Sequence, residues 1–359
     1  MIAFGLQSAA IRVSCVQEVS MSSKQTVLAL LERNKGDHIS GEAIARQLEI
    51  TRAAVWKSIA ELRADGHVIE ASTRIGYRLA QGSDILTKEG LSSALASLSL
   101  EHLPLYYHTT IGSTNREAKR LALEGAAHGT VVVAGTQSEG RGRNGRSFHS
   151  PRGSGIYLSM ILRPDVSTSV ALRITSAAAV AVARGIAESC HLEVGIKWVN
   201  DLLLEGKKVC GILTEGVSGF ESGRIESIVV GIGINHSVPE GGFPADIAQI
   251  AGALFAREFP PCATRAHVAG TIIAHLLKVT DRLDDPSVMA EYRRRSVVIG
   301  QHVLVIQGSS QEQALATGIA DDGALIVRMA NGEERHLRSG EISLRPVGNS
   351  AWGMAGKKG

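Results

Sequence analysis

Apolar and polar positions change their spacing along the chain in three stages. Between residues 22 and 80 the spacing is helical, and Val27, Leu28, Leu30 and Leu31 form one stripe. Ser40 stands as N-cap of a second helix that carries Ile44 and Leu48 and exposes Glu42 and Glu49. A tight turn, Glu49-Ile50-Thr51, leads to a third helix with Thr51 as its N-cap. Val55, Ile59 and Leu62 supply the buried face of that helix, and Arg52, Lys57, Ser58 and Arg63 lie off it. Val68–Leu79, with Gly76 between Ile75 and Tyr77, reads as a hairpin.

Residues 81–295 then alternate strands with helices. Leu105–Thr109, Val131 to Val133, Ile156–Leu162 and Val209–Leu213 read as strands, and Arg116–Leu123 as a helix. From residue 296 to 346 the pattern becomes short strands: Val303–Ile306, Ala314–Ile319 and Ala324–Met329. Asp322-Gly323 and Asn331-Gly332 are strong hairpin turns between them. About fifty residues of this kind predict a small SH3-like β-barrel.

Two short helices joined by a tight turn, the second basic on its outer face, predict a helix-turn-helix, and the hairpin is its wing. Arg52, Lys57, Ser58 and Arg63 are the DNA-contact candidates. An ordinary three-helix domain or a protein-interaction module fits the same pattern. Charge supports DNA only weakly, since residues 22–80 hold nine Lys/Arg against seven Asp/Glu. The predicted architecture is multidomain α+β. A disordered extension (1–21) precedes the winged helix (22–80), a central mixed α/β domain (81–295), the small barrel (296–348) and a tail (349–359).

Composition narrows the classes without choosing among them. With 359 residues, two or three domains are expected. Hydrophobic residues make up 44% and charged residues 20%, which is a folded composition and excludes a wholly disordered or fibrous chain. The net charge of +3 excludes a strongly basic coat. Cys15, Cys190, Cys210 and Cys262 form no C-x-x-C pair, so buried thiols in a reducing cytoplasm are expected. The longest apolar run, Ile174–Ala183, is bracketed by Arg173 and Arg184 and is too short to span a bilayer. In the first twenty residues Arg12 and Glu18 interrupt the apolar stretch, and no basic segment precedes it. They read as an extension from an upstream start codon, with Met21 just before the helical pattern.

Chemistry concentrates in four places. Val131–Ser150 runs from a buried strand into a glycine-rich loop carrying Arg141, Arg143 and Arg146. Glycines let backbone N–H groups approach an anion, and guanidiniums add paired contacts to carboxylate or phosphate. Such a loop suits a carboxylic acid held beside a nucleotide phosphate, and it is not a Walker A loop because no G-K-[ST] follows. The run Lys197-Trp198-Val199-Asn200-Asp201, followed by the Glu205-Gly206-Lys207 turn, offers Lys197 and Lys208 for anionic charge. Asp201 offers an oxygen ligand for Mg²⁺. Gly231 and Gly233 interrupt an apolar strand that ends in Asn235; a close ligand or a β-bulge each explains them. Ser113-Thr114-Asn115 opens a helix and serves either polar recognition or plain N-capping.

Taken in order, these pieces resemble the biotin–protein ligase family. The matching segments are STN at 113–115, GRGRNGR at 140–146, KWVND at 197–201, KKVCGIL at 207–213, GIGIN at 231–235 and GEISLR at 340–345. With the winged helix ahead of them, the likeness runs from about residue 24 to 346. It is closer to the bifunctional bacterial type, which joins a biotin operon repressor and a biotin–[acetyl-CoA-carboxylase] ligase in one polypeptide.

The resemblance implies a class II synthetase-like central domain and an ATP-dependent ligase. Such an enzyme forms biotinyl-5′-AMP and passes biotin to a lysine of the biotin carboxyl carrier protein. It further implies a biotin-responsive repressor that dimerises on binding the adenylate and meets a palindromic operator. On the matching positions, Ser113, Thr114, Asn115, Gln137, Arg141, Gly142, Arg143 and Lys208 would contact biotin. Arg143, Lys197, Lys208 and Asp201 would serve catalysis, with Asp201 toward Mg²⁺. Arg146, Phe148, Asn200, Gly211, Gly233 and Asn235 would serve the nucleotide. Three residues depart from the pattern: Val199 stands where the family usually has Pro, Asn144 replaces a basic residue, and Phe148 replaces an aromatic that is often Trp. None removes an expected reactive side chain. A ligand-sensing transcription factor with an inactive ligase-like domain, and a ligase whose N-terminal domain no longer binds DNA, remain the competing classes. Glu341 and Arg345 are the barrel positions with which to ask whether that domain helps dock the carrier.

Overall fold

A computed structural model describes residues 21–163, 171–218, 225–307, 310–338 and 341–343. The expected extension over 1–20, the tail over 349–359, and Gly340, Leu344 and Arg345 of the closing motif lie outside the described residues.

The N-terminal unit holds three helices, α1 (Ser23–Arg33), α2 (Gly41–Gln47) and α3 (Arg52–Ala64), and a hairpin of β1 (Ile69–Ser72) and β2 (Gly76–Leu79). Each helix starts where a hydroxyl can accept an otherwise orphaned N–H: Ser22 from Gln25, Ser40 from Ala43, and Thr51 from Ala54. Val27, Leu31, Ile44, Val55, Ile59, Leu62 and Leu79 close the core. At Gly76 (φ 105°) the wing passes so near α2 that a Cβ would lie 2.2 Å from the Ile39 carbonyl, which only glycine allows.

One expected DNA contact is corrected here. Ser58 is 4% exposed, because it follows Val55 by three residues and precedes Leu62 by four and so shares their inward face. Arg52 and Lys57 are exposed on α3. The guanidinium of Arg63 is engaged locally, donating to the Ile69 carbonyl at 2.9 and 2.6 Å and tying the wing to the helix.

The central unit is a seven-stranded sheet in the order β3-β4-β5-β9-β8-β7-β6. Its strands are β3 (Leu105–His108), β4 (Val131–Ala134), β5 (Gly155–Leu162), β6 (Gly195–Lys197), β7 (Asp201–Leu204), β8 (Lys207–Ser218) and β9 (Ile225–Asn235). Only β3 and β4 run parallel; the other neighbours are antiparallel. Among the described residues five α-helices flank the sheet: α4 (Lys88–Ser97), α5 (Thr114–Leu123), α6 (Ala171–Cys190), α7 (Arg265–Thr280) and α8 (Pro286–Arg295). The sheet is covered on both faces, so β5 reads as a continuous apolar run rather than an alternation. Val131 and Val133 face the large core with α6 and α7, while Val132 faces α5. The apolar run Ile174–Ala183 is the middle of α6, and its residues other than Thr175 and Ser176 join that core. Gly185 lets α7 approach closely, since a Cβ there would meet Ile272 at 2.5 Å.

The C-terminal unit pairs β10 (His302–Gln307), β11 (Ser310–Ile319), β12 (Leu325–Met329), β13 (Glu334–Leu337) and β14 (Glu341–Ser343) as an antiparallel sheet ordered β13-β12-β11-β10-β14. The two expected turns carry glycines in the left-handed region, Gly323 and Gly332, both at φ 86°. Its apolar face is continuous with the core of the central unit. Among the described residues no helix is long and apolar enough to cross a membrane.

Two polar arrangements inside this framework were not visible in the pattern. Arg265, at the start of α7, donates its backbone N–H and its Nε to the Asp84 carboxylate, each at 2.7 Å, and its Nη2 to the Asp84 carbonyl. This nearly buried pair fastens the segment leaving the winged helix, and Lys35 adds a bond to the Ser83 carbonyl at 2.7 Å. His236, just after β9, is fully buried between the rings of Phe255 and Phe259. Its Nε2 donates to the Ala263 carbonyl at 2.6 Å, and its Nδ1 has no hydrogen-bond partner among the described residues. Burial pushes the imidazole below its ordinary range.

Asp84→Ala leaves a buried guanidinium without its counter-charge and is expected to cost about 3 kcal/mol in urea unfolding. His236 is held neutral, so the unfolded chain takes up the proton first. Its contribution is complete above pH 6.5, the ordinary histidine value, and is lost as pH falls below it. The loss of stability between pH 7.5 and 5.5 should therefore be smaller in His236→Gln than in the unaltered protein.

Candidate active site

A cavity of about 220 Å³ opens over the centre of the sheet, on the face that also carries α5. The pleat decides what reaches it. Along β9, Ile228, Val230, Ile232 and Ile234 point into the large core, so Gly231, Gly233 and Asn235 fall on the opposite face. Register then builds two rows across three strands: Ser159–Gly231–Leu213 and Tyr157–Gly233–Gly211.

Side chains lie directly on these rows, which settles why the glycines are there. A Cβ at Gly231 would fall 1.9 Å from Asn115 Oδ1, and one at Gly233 would fall 2.5 Å from the Phe148 ring. The ladders with β5 and β8 run without a bulge at both positions. The close neighbours are thus protein side chains rather than a bulged backbone.

The helix start at Ser113 is not plain capping. Ser113 occupies the N-cap position of α5, yet its hydroxyl caps nothing, and the residue lines the cavity. Thr114 donates its backbone N–H to Gln137 Oε1 at 2.8 Å, and Gln137 Nε2 donates to Ser150 Oγ at 3.0 Å. Together Ser113, Thr114 and Gln137 form a neutral polar end of the cavity.

The glycine-rich loop is an ordered hairpin over the other end. Gly142 N–H donates to the Arg146 carbonyl at 2.7 Å and Phe148 N–H to the Gly140 carbonyl at 2.9 Å. At its tip Asn144 and Gly145 adopt φ 56° and 73°. Asn is among the residues that tolerate this region, which gives the Asn144 departure a backbone reason. Arg143 donates to Asn200 Oδ1 at 3.3 Å, and Asn200 Nδ2 donates to the Ile212 carbonyl at 2.8 Å. Lys208, returned by the Glu205-Gly206 turn, pairs with Asp201 at 2.7 Å.

Arg141, Arg143, Arg146, Lys197 and Lys208 therefore meet at the cavity against a single carboxylate, Asp201. Such a site favours polyanions, and its one acidic group is suited to a magnesium ion that shares most of its ligands with phosphates. Among the described residues no three His, Cys, Asp or Glu side chains gather into a metal cluster. Cys210 is buried under the site, and burial pushes its thiol well above the ordinary range, so it offers no nucleophile.

Of the expected site residues, all but Asn115 in the central unit line this cavity. Asn115 lies beside the cavity, 6% exposed, donating to Glu215 Oε2 at 2.8 Å and to the Leu213 carbonyl at 3.3 Å. Asn235 lines the cavity but donates its amide to the Gly252 carbonyl at 2.8 Å, so that donor holds backbone. Four residues of the segment after β9, Phe243, Ile247, Ile250 and Ala251, also line the cavity, as does Ile342 of the C-terminal unit. No sequence signal marked them. Ties between the two units include the Trp198 indole N–H, which donates to the Gly323 carbonyl at 3.0 Å, and Arg293 Nε, which donates to the Ile319 carbonyl at 2.6 Å.

Comparison with known proteins agrees with this geometry. The profile of the Biotin/lipoate A/B protein ligase family matches residues 107–235, an HTH domain profile matches 23–78, and the biotin protein ligase C-terminal domain profile matches 298–345. The bifunctional ligase/repressor BirA of Bacillus subtilis is 40% identical over 232 residues, covering 64% of this chain and 70% of that protein. Its namesake in Escherichia coli is 28% identical over 322 residues, covering 89% and 96%. The fold is that of the biotin protein ligase of Aquifex aeolicus in complex with biotin and ATP, with a TM-score of 0.56 at 24% identity over 67% of this chain and 98% of that one. With a cationic loop, a neutral polar subsite and a winged helix in one polypeptide, the chain belongs to the biotin–protein ligase family, in its bifunctional ligase/repressor branch.

Proposed function

We propose that the protein is an ATP-dependent biotin–protein ligase that also represses transcription in response to biotin. The observation that carries the reading is the two-ended cavity. Ser113, Thr114 and Gln137 form a neutral, hydrogen-bonding end, and Arg143, Lys197 and Lys208 crowd the other.

A biotin carboxylate held near Lys208 would attack the α-phosphorus of ATP. A P–O bond forms, the bond to the departing pyrophosphate breaks, and biotinyl-5′-AMP remains. Two anionic reactants approach each other in this step, so cations fixed in advance lower its barrier by offsetting repulsion and developing charge. Arg143, braced on Asn200, and Lys208, braced on Asp201, are such fixed cations. Asp201 would hold magnesium, which supplies further neutralisation of the phosphate oxygens. Phe148 and Arg146 would face the nucleotide. The loop over residues 140–148 would shield the mixed anhydride from water. In the second step the neutral amine of a carrier-protein lysine attacks the acyl carbon and AMP leaves. Retention of Arg143, Lys197, Lys208 and Asp201 favours an active ligase over a sensor that has lost catalysis.

The winged helix is the DNA-binding part, with Arg52 and Lys57 exposed on α3 as contact candidates. We place homodimerisation downstream of adenylate formation, since two winged helices engage a palindromic operator more tightly than one. Of the thiols expected to be buried, Cys190 and Cys210 are buried and Cys262 is exposed.

Biotin-dependent ATP–pyrophosphate exchange tests the reaction, with lipoate as the control acid. Exchange is expected with biotin and not with lipoate, and Arg143→Gly should reduce it by about a hundredfold. No exchange with either acid, in folded protein with Mg²⁺ present, would turn the reading to a non-catalytic sensor. For the repressor, a gel shift on the chain's own upstream region should tighten on adding biotin and ATP together. Lys57→Ala should weaken binding across sequences and lower the salt slope by about one. DNA affinity indifferent to biotin and ATP would sink the ligand-responsive part.

A further inference from the structure

Beneath the neutral end of the cavity runs a chain of hydrogen bonds whose direction can be worked out atom by atom. Ser159, in β5, is fully buried, with its Oγ 2.6 Å from Asn115 Oδ1 and 2.8 Å from Thr114 Oγ1. Asn115 Nδ2 faces Glu215 Oε2 at 2.8 Å and the Leu213 carbonyl at 3.3 Å. Lys119 forms an ion pair with the same Glu215 carboxylate.

A carboxylate and a carbonyl only accept, so the Asn115 amide has its nitrogen toward them and its oxygen toward Ser159. That oxygen also only accepts, and Ser159 has one hydroxyl hydrogen, which it therefore donates to Asn115. The 2.8 Å contact between Ser159 and Thr114 then takes its hydrogen from Thr114. Gln137 Oε1, the other acceptor near the Thr114 hydroxyl, lies farther away at 3.1 Å and also accepts the Thr114 backbone N–H. With its hydrogen directed into the protein, the Thr114 hydroxyl meets the cavity as an acceptor only.

We infer that Ser159 is a positioning residue for substrate choice: held by Asn115 and Glu215, it turns Thr114 into an acceptor that selects an acid whose far end presents N–H donors. This rests on the ligase reading and names the discriminating chemistry of its neutral end. The cyclic urea of biotin carries two such donors. The dithiolane of lipoate carries none, and it would leave a buried acceptor unpaired, which is the strongest form of rejection a polar pocket can use. Without Ser159 the Thr114 hydroxyl loses its nearer acceptor and can turn its hydrogen to the cavity, and the preference for a donor weakens.

A double-mutant cycle in the pyrophosphate-exchange assay tests this on the full chain. Ser159→Ala is expected to raise the KM for biotin about tenfold, with kcat and the KM for ATP within about twofold. Thr114→Val should raise the biotin KM as well. In the double variant Ser159→Ala should add nothing further, because the serine acts only through the threonine hydroxyl. Ser159→Cys, which keeps a weak donor of similar size, should fall between serine and alanine and carries the same test if the alanine variant does not fold. An unchanged biotin KM, a loss shared equally by ATP, or fully additive effects in the cycle would overturn the inference while leaving the ligase reading intact. Absence of biotin-dependent exchange in the unaltered protein would instead remove the reading on which it rests.

Discussion

Everything at the active site depends on the pairing of β9 between β5 and β8. Because side chains alternate strictly across a strand, the isoleucines and valines that anchor β9 in the large core force Gly231, Gly233 and Asn235 onto the opposite face. A slip of one residue would exchange the two sets and bury the site. Correct register instead creates two shallow rows, and each accepts one side chain from elsewhere. Asn115 lies on Ser159–Gly231–Leu213, and the Phe148 ring lies on Tyr157–Gly233–Gly211. The glycines are thus the means by which a helix start and a loop, distant in sequence, meet at fixed heights above one sheet.

Electrostatics divides that surface into two ends. Among the described residues five cationic side chains line the cavity with one carboxylate, Asp201. Concentrated charge of one sign is costly in an empty site, and the bracing of Arg143 by Asn200 and of Lys208 by Asp201 holds it in place before any ligand arrives. At the other end the polar groups are neutral, and their hydrogens are committed by a chain that terminates on the Glu215 carboxylate and its partner Lys119. One set of groups supplies fixed charge and the other fixed hydrogen-bond polarity. The C-terminal unit joins this arrangement through the Trp198 indole and through Ile342, which couples a small β-sheet to the reaction centre without lending it a reactive group.

Much of this was legible in the residues. The helical stripe of Val27 to Leu31, the caps at Ser40 and Thr51, and the Asp322-Gly323 and Asn331-Gly332 turns are local signals, and each stands where the spacing placed it. The four chemical segments were found by composition and order, and they converge on one cavity. Two positions show what helical rotation decides. Ser58, read as lying off the buried face of its helix, sits at the helical spacing of that face. Asn115 was grouped with its neighbours Ser113 and Thr114, but one residue further along a helix is about 100° of rotation, enough to turn it from the cavity to the sheet.

By itself, the sequence determined the parts: which stretches form helices and strands, where they stop, and which segments carry anion-binding chemistry. Those properties follow from periodicity, capping and turn chemistry within a few residues of each position. Only the tertiary structure decided which side of each part does the work. The commitment of the Thr114 hydrogen, the burial of His236, the clamp of Asp84 on Arg265, and the closing of the cavity by Ile250 and Ile342 all join residues far apart in the chain. Register and packing select such contacts collectively, and no local pattern encodes a hydrogen-bond direction that is set by a carboxylate a hundred residues away.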